Sequence, residues 1–446
     1  MARNTLFAAV NIALALLVHP ISAQPPAPTH KPGDTKSLPE PFATPSKTKF
    51  AAVVGWPADK APKAPAGFRV NAYMQPIENP RWIYVLPNGD ILVAQSRTLP
   101  KPEMPEPDPE KRKKKEEMKK GMEKSKTVTG DSPNKITVLR DADGDGKAET
   151  HETFLENLNQ PFGMLLLKDT LYVATTDAVL AFPYQPGQRK ITATGKKICS
   201  LPAGGYNNHW TRNIVANQDG SKVYISVGSA SNVGENGMQE EEQRACILEM
   251  NPDGSGLRTF ASGLRNPVGM DWNPQSGALW AAVNERDELG DDLVPDYITS
   301  VQDGAFYGWP FSYFGSHEDP RRKGERPDLV AKAIVPDLPV GAHTASLGFV
   351  FYDGQSFPSK YRDGAFIGQR GSWNRSDFAG YRVAFVPFQA GKPTGPPEDF
   401  LTGFLANDFE AYGRPVGVAI APDGSLLVAD EPGNTIWRVS VAKNSR

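Results

Sequence analysis

Six times along the chain a short segment carrying Pro or Gly leads into an apolar strand, a tight polar turn and a second apolar strand. This recurrence limits the fold more than any single motif. The units are NPRWIYVLPNGDILVAQ from Asn79, QPFGMLLLKDTLYVATT from Gln160, HWTRNIVANQDGSKVYISVG from His209, NPVGMDWNPQSGALWAAVN from Asn266, ASLGFVFYDGQSFPSKYRDGAFIGQ from Ala345 and RPVGVAIAPDGSLLVADE from Arg414. Each reads as the inner hairpin of a propeller blade. Strands near the axis are buried on both faces, which explains the near-continuous Val, Leu, Ile and Ala runs, and the Asn-Gly and Asp-Gly turns accept φ > 0. The expectation is an all-β chain, a six-bladed β-propeller. Its ring would close by GFRVNAYM near the start sharing a blade with TIWRVSVA near the end, because an unclosed disc leaves exposed strand edges.

A prior of ~150 residues per domain would divide 446 residues into about three, but closed all-β units run long and the repeat outweighs the length rule. The balance of 49 basic and 51 acidic residues gives no nucleic-acid signal, so a small ligand is the default partner. Residues 1–23 read as a cleaved export signal: Arg3 supplies charge, Leu6 to Val18 an apolar core too short for a bilayer span, and Ile21-Ser22-Ala23 a small-residue cleavage site. The expected location is periplasmic or secreted, with no membrane span. Residues 24–65 form a Pro-rich extended leader and 66–446 the propeller domain, interrupted at 99–126 by a densely charged excursion. That excursion reads as solvated and helical in its Lys/Glu-rich half, with partner docking as the other reading. Cys199 and Cys246 are the only cysteines, and their spacing leaves pairing open.

Asp141, Asp143, Asp145 and Glu152, with Gly146, satisfy the spacing of a calcium loop. The flanks NKITVLR and ETFLENL read as strands rather than helices, so a structural calcium in a blade turn and a plain Asx-stabilised turn both stay open. There is no Cys-x-x-Cys-His haem site, no Gly-rich nucleotide fingerprint before a helix and no Gly-x-Ser-x-Gly elbow. Electrons, if any are moved, must leave to a separate acceptor.

The block GLRNPVGMDWNPQSGALWAAVNERDELGDDLVPDY, then GAFYGWPFSYFG, with HWTRNIV before and GSWNRSDFAGYRV after, resembles the pyrroloquinoline-quinone (PQQ)-dependent sugar dehydrogenases, in particular their sorbosone-dehydrogenase-like branch. The resemblance runs from about Gly67 onward. It implies a six-bladed propeller that uses PQQ and Ca2+ to oxidise an aldose, aldosone or related sugar aldehyde to lactone or acid, passing electrons to a separate cytochrome or quinone. His209 in HWTRN matches the family's catalytic base, and a neutral imidazole suits that task at physiological pH. Arg265 and Asn266 match a cofactor-contacting pair and Arg375 a further cofactor arginine, with Trp373 as a stacking surface; Arg212 and Arg370 are additional candidates for the anionic ligand. The metal-holding loop aligns with Glu285, Arg286 and Asp287. Two positions depart from the pattern: Ser229 stands where soluble glucose dehydrogenases place an Asp against the His, with Glu235 among the carboxylates offered in its stead, and no Lys occurs in Gly348 to Gly354. His343 lies at another blade start, for the substrate side or for structure. Two other classes use this fold, calcium-dependent lactonases and non-catalytic ligand-binding propellers. An Arg-rich pocket, which a tricarboxylate needs and a neutral lactone does not, discriminates them.

Overall fold

The computed structural model describes residues 38–100, 106–127 and 131–442, so the segment read as an export signal and the first part of the segment read as a leader lie outside the described residues. Six four-stranded antiparallel sheets form the blades of a propeller. The first runs Pro80–Val85, Ile91–Gln95, Lys135–Arg140 and Thr150–Leu155, the second Met164–Leu167, Thr170–Ala174, Ala178–Pro183 and Lys196–Ser200, and the third Ile214–Ala216, Val223–Val227, Cys246–Met250 and Arg258–Ser262. The fourth comprises Asn266–Trp272, Leu279–Asn284, Pro295–Ser300 and Leu338–Ala342, and the fifth Ser346–Phe351, Ala365–Gln369, Arg382–Val386 and Glu398–Leu401. In the sixth, Pro415–Ile420, Leu426–Asp430 and Thr435–Val441 are completed by Phe68–Met74, paired from Phe68 with Val441 to Met74 with Ile436. The ring therefore closes through the two strands expected to share a blade.

Apolar side chains on both faces of each sheet pack into the wedges between neighbouring blades, so the core is divided among them. Trp82, Phe154, Phe162 and Trp210 fill one wedge. Tyr352, Phe357, Phe366, Phe385, Phe400 and Trp437 fill another. Turns between first and second strands are built as the sequence suggests: at Pro87-Asn88-Gly89-Asp90, Gly89 takes φ 89° and donates to Leu86 O at 2.9 Å. Cys199 and Cys246 are both free thiols.

The described part of the leader is extended and stitched to the disc. Ala52–Val53 pairs in parallel with Glu410–Ala411, and Ala51 and Val53 are buried. Within the charged excursion, Pro109–Lys124 is an α-helix capped by Asp108, whose carboxylate accepts from Glu110 N and Lys111 N. Among the described residues no helix is long and apolar enough to cross a membrane.

Candidate active-site cavity at the propeller mouth

In a four-stranded antiparallel blade, the starts of the first and third strands and the ends of the second and fourth share one face of the disc. Residues just before first strands and in the loops between second and third strands must therefore converge there. They line a cavity of about 210 Å³, with Arg81, Arg265, Asn266 and Arg414 from first-strand starts, and Glu285, Asp287, Arg370 and Trp373 from second-to-third loops. His209, Asn284, Asp296 and His343 also face it. The roof comes from outside the blades: Met118 and Met122 of the helix Pro109–Lys124, Thr127, and Phe50 of the leader, whose ring stacks on Trp373 at 5.9 Å. The excursion therefore packs over the site through one edge, and a Cβ at Gly121 would run into the Phe50 ring.

His209 is held in one orientation. Its Nδ1 lies 2.9 Å from both the carbonyl oxygen and Oγ of Ser229. A carbonyl only accepts, so in the neutral ring Nδ1 carries the hydrogen and Nε2, 3.2 Å from Asn208 Nδ2, is the basic nitrogen. The Ser229 hydroxyl donates to Ser231 O at 2.7 Å. Ser231 Oγ in turn donates to the buried Glu241 carboxylate, which also accepts from Ala230 N at 2.7 Å. The carboxylate behind His209 is thus Glu241, reached through a serine turn. Glu235 instead accepts from Val233 N at 2.7 Å. Gly228 is needed for close approach, since a Cβ there would collide with Asn266 Oδ1 and the His209 Cβ.

One side of the cavity carries a cluster of buried cations. Glu431, fully buried, pairs with Arg81 Nη1 at 2.8 Å and Arg370 Nε at 2.5 Å. Burial would raise its carboxyl, but Arg370 and Arg81 override that and hold it down at about 2. Arg414, 2% exposed, donates to Arg370 O, Gly371 O and Thr127 Oγ1, and among the described residues it forms no ion pair. Burial first, and then Arg370, push its guanidinium down to about 10. Arg81 and Arg370 share the Glu431 carboxylate, and Arg414 stands at the cavity without one.

The other side is rich in oxygen. Burial pushes Glu285 up to about 8 and Asp296 up to about 6. Asp287, whose burial opposes ionisation, is held down at about 2 by its hydrogen bond to His343 and by Arg265, which lies 3.0 Å away. His343 Nε2 donates to Gly290 O at 2.8 Å, so this histidine braces the acidic loop. Glu285 Oε1 and Asn266 Oδ1 are buried without a hydrogen-bond partner among the described residues.

Of the residues the sequence singles out, the structure brings together His209, Arg265, Asn266, Trp373, Arg370, Glu285 and Asp287. Three of the candidates for this site do not line the cavity. Arg212 folds back onto His209 O and Pro202 O, 2.7 and 2.6 Å away, and braces the His209 loop. Arg375 turns outward to Asp292 Oδ1 at 2.7 Å. The Arg286 side chain is buried in an ion pair with Asp319. Sequence reasoning missed Arg81 and Arg414, although the recurrence of Arg at the blade starts NPRWI, TRNIV, LRNPV and GRPVG was the available signal.

The calcium-like loop lies on the opposite face, after a third strand. Asp141, Asp143 and Asp145 converge there with Glu149, all within 4.8 Å of one another. Glu152 is not part of the group: it stands on the strand Thr150–Leu155 and pairs with Arg189 at 2.9 Å. A strand begins where a helix would have returned the twelfth residue to the loop.

Fold and cavity together define a six-bladed propeller with an arginine-rich, oxygen-lined pocket at one mouth. The profile described as TrAA12-like matches residues 130–299 and 323–442, more than half of the chain, and the chain belongs to that family. An uncharacterized protein of Borreliella burgdorferi is 29% identical over 301 residues, covering 65% of this chain and 78% of that one. The PQQ-dependent pyranose dehydrogenase of Coprinopsis cinerea is 24% identical over 330 residues, covering 60% of this chain and 44% of that longer protein. The holo form of its PQQ domain superposes with a TM-score of 0.67 at 20% identity, covering 88% of this chain and all 100% of that domain. A calcium structure of the Trichoderma reesei enzyme of family AA12 gives 0.67 at 17% identity, covering 90% of this chain and 100% of that one. At these identities the structural likeness is one of fold.

Proposed function

We propose that this chain is a sugar oxidoreductase that holds PQQ and Ca2+ in the mouth cavity and oxidises an aldose, aldosone or related sugar aldehyde to the lactone or acid. The observation that carries the reading is the cluster of Arg81, Arg370 and Arg414 at the cavity, in which Glu431 pairs with the first two and the third has no carboxylate. Buried cations in excess are costly unless an anion joins them, and a tricarboxylate supplies one. A neutral lactone does not, which disfavours the lactonase reading.

The oxygen-lined side suits a hard cation. Glu285 Oε1 and Asn266 Oδ1, buried and without partners, would serve as ligands together with the cofactor, and Asp287 would add charge nearby. Bound there, the quinone would supply a hydride acceptor, with Ca2+ as the Lewis acid beside it. His209 Nε2 would take the proton from the sugar hydroxyl, its lone pair presented by the Nδ1 hydrogen bond to Ser229 O. Ser229, Ser231 and Glu241 hold the ring in that tautomer, a task for which a carboxylate in direct contact is not required. Arg265 ties the metal loop to the blade start by donating to Glu285 O at 2.6 Å. Phe50, Met118 and Met122 exclude water from above. An exported location and a separate electron acceptor belong to the same proposal.

The experiment is a titration of metal-stripped protein with PQQ, with and without Ca2+, followed by an aldose and aldosone panel with a redox dye. Calcium-dependent binding with dye reduction is the expected result. Absence of PQQ binding would overturn the proposal and bring lactone hydrolysis forward.

A further inference from the structure

The helix Pro109–Lys124 touches the protein along a single stripe. Met118, Gly121 and Met122 are half-buried, and every other residue of the helix is exposed. Its sequence, PEKRKKKEEMKKGMEK, carries eight basic residues against four acidic ones, in a chain whose formal net charge is −2. Beside it, Glu288 bridges Lys114 at 3.2 Å and Arg321 at 2.5 Å, so the basic surface continues into the loop that holds Arg321 and Lys323. The basic surface is therefore local to the helix and the loop beside it, over the cavity mouth.

We propose that the outer face of this helix, with Arg321 and Lys323, is the docking surface for an acidic one-electron carrier protein that removes electrons from the cofactor cavity beneath. The inference rests on the oxidoreductase reading. Oxidation of one sugar aldehyde, as its cyclic hemiacetal or its hydrate, to lactone or acid yields two electrons and two protons; two carrier molecules leave with one electron each, and the protons pass to water. The location fits the task, because the helix is itself the roof. A partner on its outer face stands about one helix diameter, ~10 Å, from the cavity that Met118 and Met122 line. Charge complementarity supplies the rest: the basic outer face of the helix orients and accelerates an acidic partner. A membrane is the poorer fit, because the apolar residues of the helix are turned inward and none is left outside to enter a bilayer.

The test uses the full chain and an acidic plastocyanin as probe, with basic mitochondrial cytochrome c as the opposite-charge control. Binding of oxidised plastocyanin is followed by NMR line broadening with and without PQQ and Ca2+, and its reduction is followed in the holoprotein with sugar. Lys113→Glu with Lys120→Glu is expected to weaken plastocyanin binding and slow its reduction about tenfold or more, leaving reduction of a small neutral dye within about twofold. Raising ionic strength from about 0.01 to 1 M, which shortens the screening length from roughly 30 to 3 Å, should remove most of the difference. An unchanged plastocyanin titration in the double variant, a preference for cytochrome c, or binding to anionic vesicles without binding to plastocyanin would each overturn the docking proposal. Intact plastocyanin binding without any dye reduction would instead sink the oxidoreductase reading, so the two failures are distinguishable.

Discussion

Arg414→Met isolates the cation that the fold leaves without a carboxylate. Burial and Arg370 lower the Arg414 guanidinium from 12.5 to about 10. At 1.36 kcal/mol per pKa unit that is a penalty of about 3 kcal/mol on the charged form. Because a cation's pKa is lowered, the penalty is present in full below the folded value of about 10 and is relieved only above it. Opposing it are charge-assisted hydrogen bonds to Arg370 O and Gly371 O, about 1.5 kcal/mol each at the lower end of their range, with a longer, weaker one to Thr127 Oγ1 at 3.4 Å. The two nearly cancel, so the cofactor-free variant should melt within a few degrees of the parent. Binding of PQQ, in contrast, loses a charge-assisted contact of about 1.5–3 kcal/mol, a roughly 10- to 150-fold rise in Kd. Calorimetric titration in the presence of Ca2+, paired with thermal denaturation of the cofactor-free form, reads both. A Kd within twofold of the parent would show that Arg414 does not meet the ligand. A large fall in melting temperature with parallel loss of binding would show that it is structural.

Glu431→Gln strands Arg81 and Arg370 without their carboxylate and should destabilise the fold by about 3–5 kcal/mol, seen as a drop in denaturation midpoint. In the parent, Glu431 is lowered from 4.5 to about 2, so its contribution is complete above pH ~4.5 and disappears as pH falls toward 2; the variant's acid-unfolding curve should lack that component. His209→Ala should reduce kcat at least ~100-fold with PQQ affinity within twofold, whereas Glu241→Gln should lower kcat by a smaller factor, and Glu241→Asp should recover part of it; equal PQQ and kcat losses in His209→Ala would refute the base assignment. If the Asp141 loop takes Ca2+, the calcium-induced rise in melting temperature should survive Glu152→Gln and shrink in Glu149→Gln, because only Glu149 stands with the three aspartates; the reverse pattern would refute the geometry.

The sequence by itself determined the ring. Inner strands of a closed disc are buried on both faces and return through tight turns, and both properties are written locally, in apolar runs and Asp-Gly or Asn-Gly pairs. Six such units and two complementary terminal strands were enough to count and close the blades. The sequence also singled out His209, Arg265, Asn266, Arg370, Trp373, Glu285 and Asp287, most of them through the family resemblance, and the structure gathers them at one mouth because blade starts and second-to-third loops share a face. Only the tertiary structure decided which way each side chain turns. Arg81, Arg212, Arg265 and Arg414 occupy similar places in their repeats, yet Arg212 finds the carbonyls of Pro202, His209 and Thr211 behind it while Arg414 finds the cavity. Glu241 was invisible as the carboxylate behind His209 because it acts through Ser231, ten residues away in the chain. Likewise, the charged excursion carried no sign that Met118 and Met122 would roof the site, because their partners, Phe50 and the cavity rim, are brought beneath the helix only by closure of the ring.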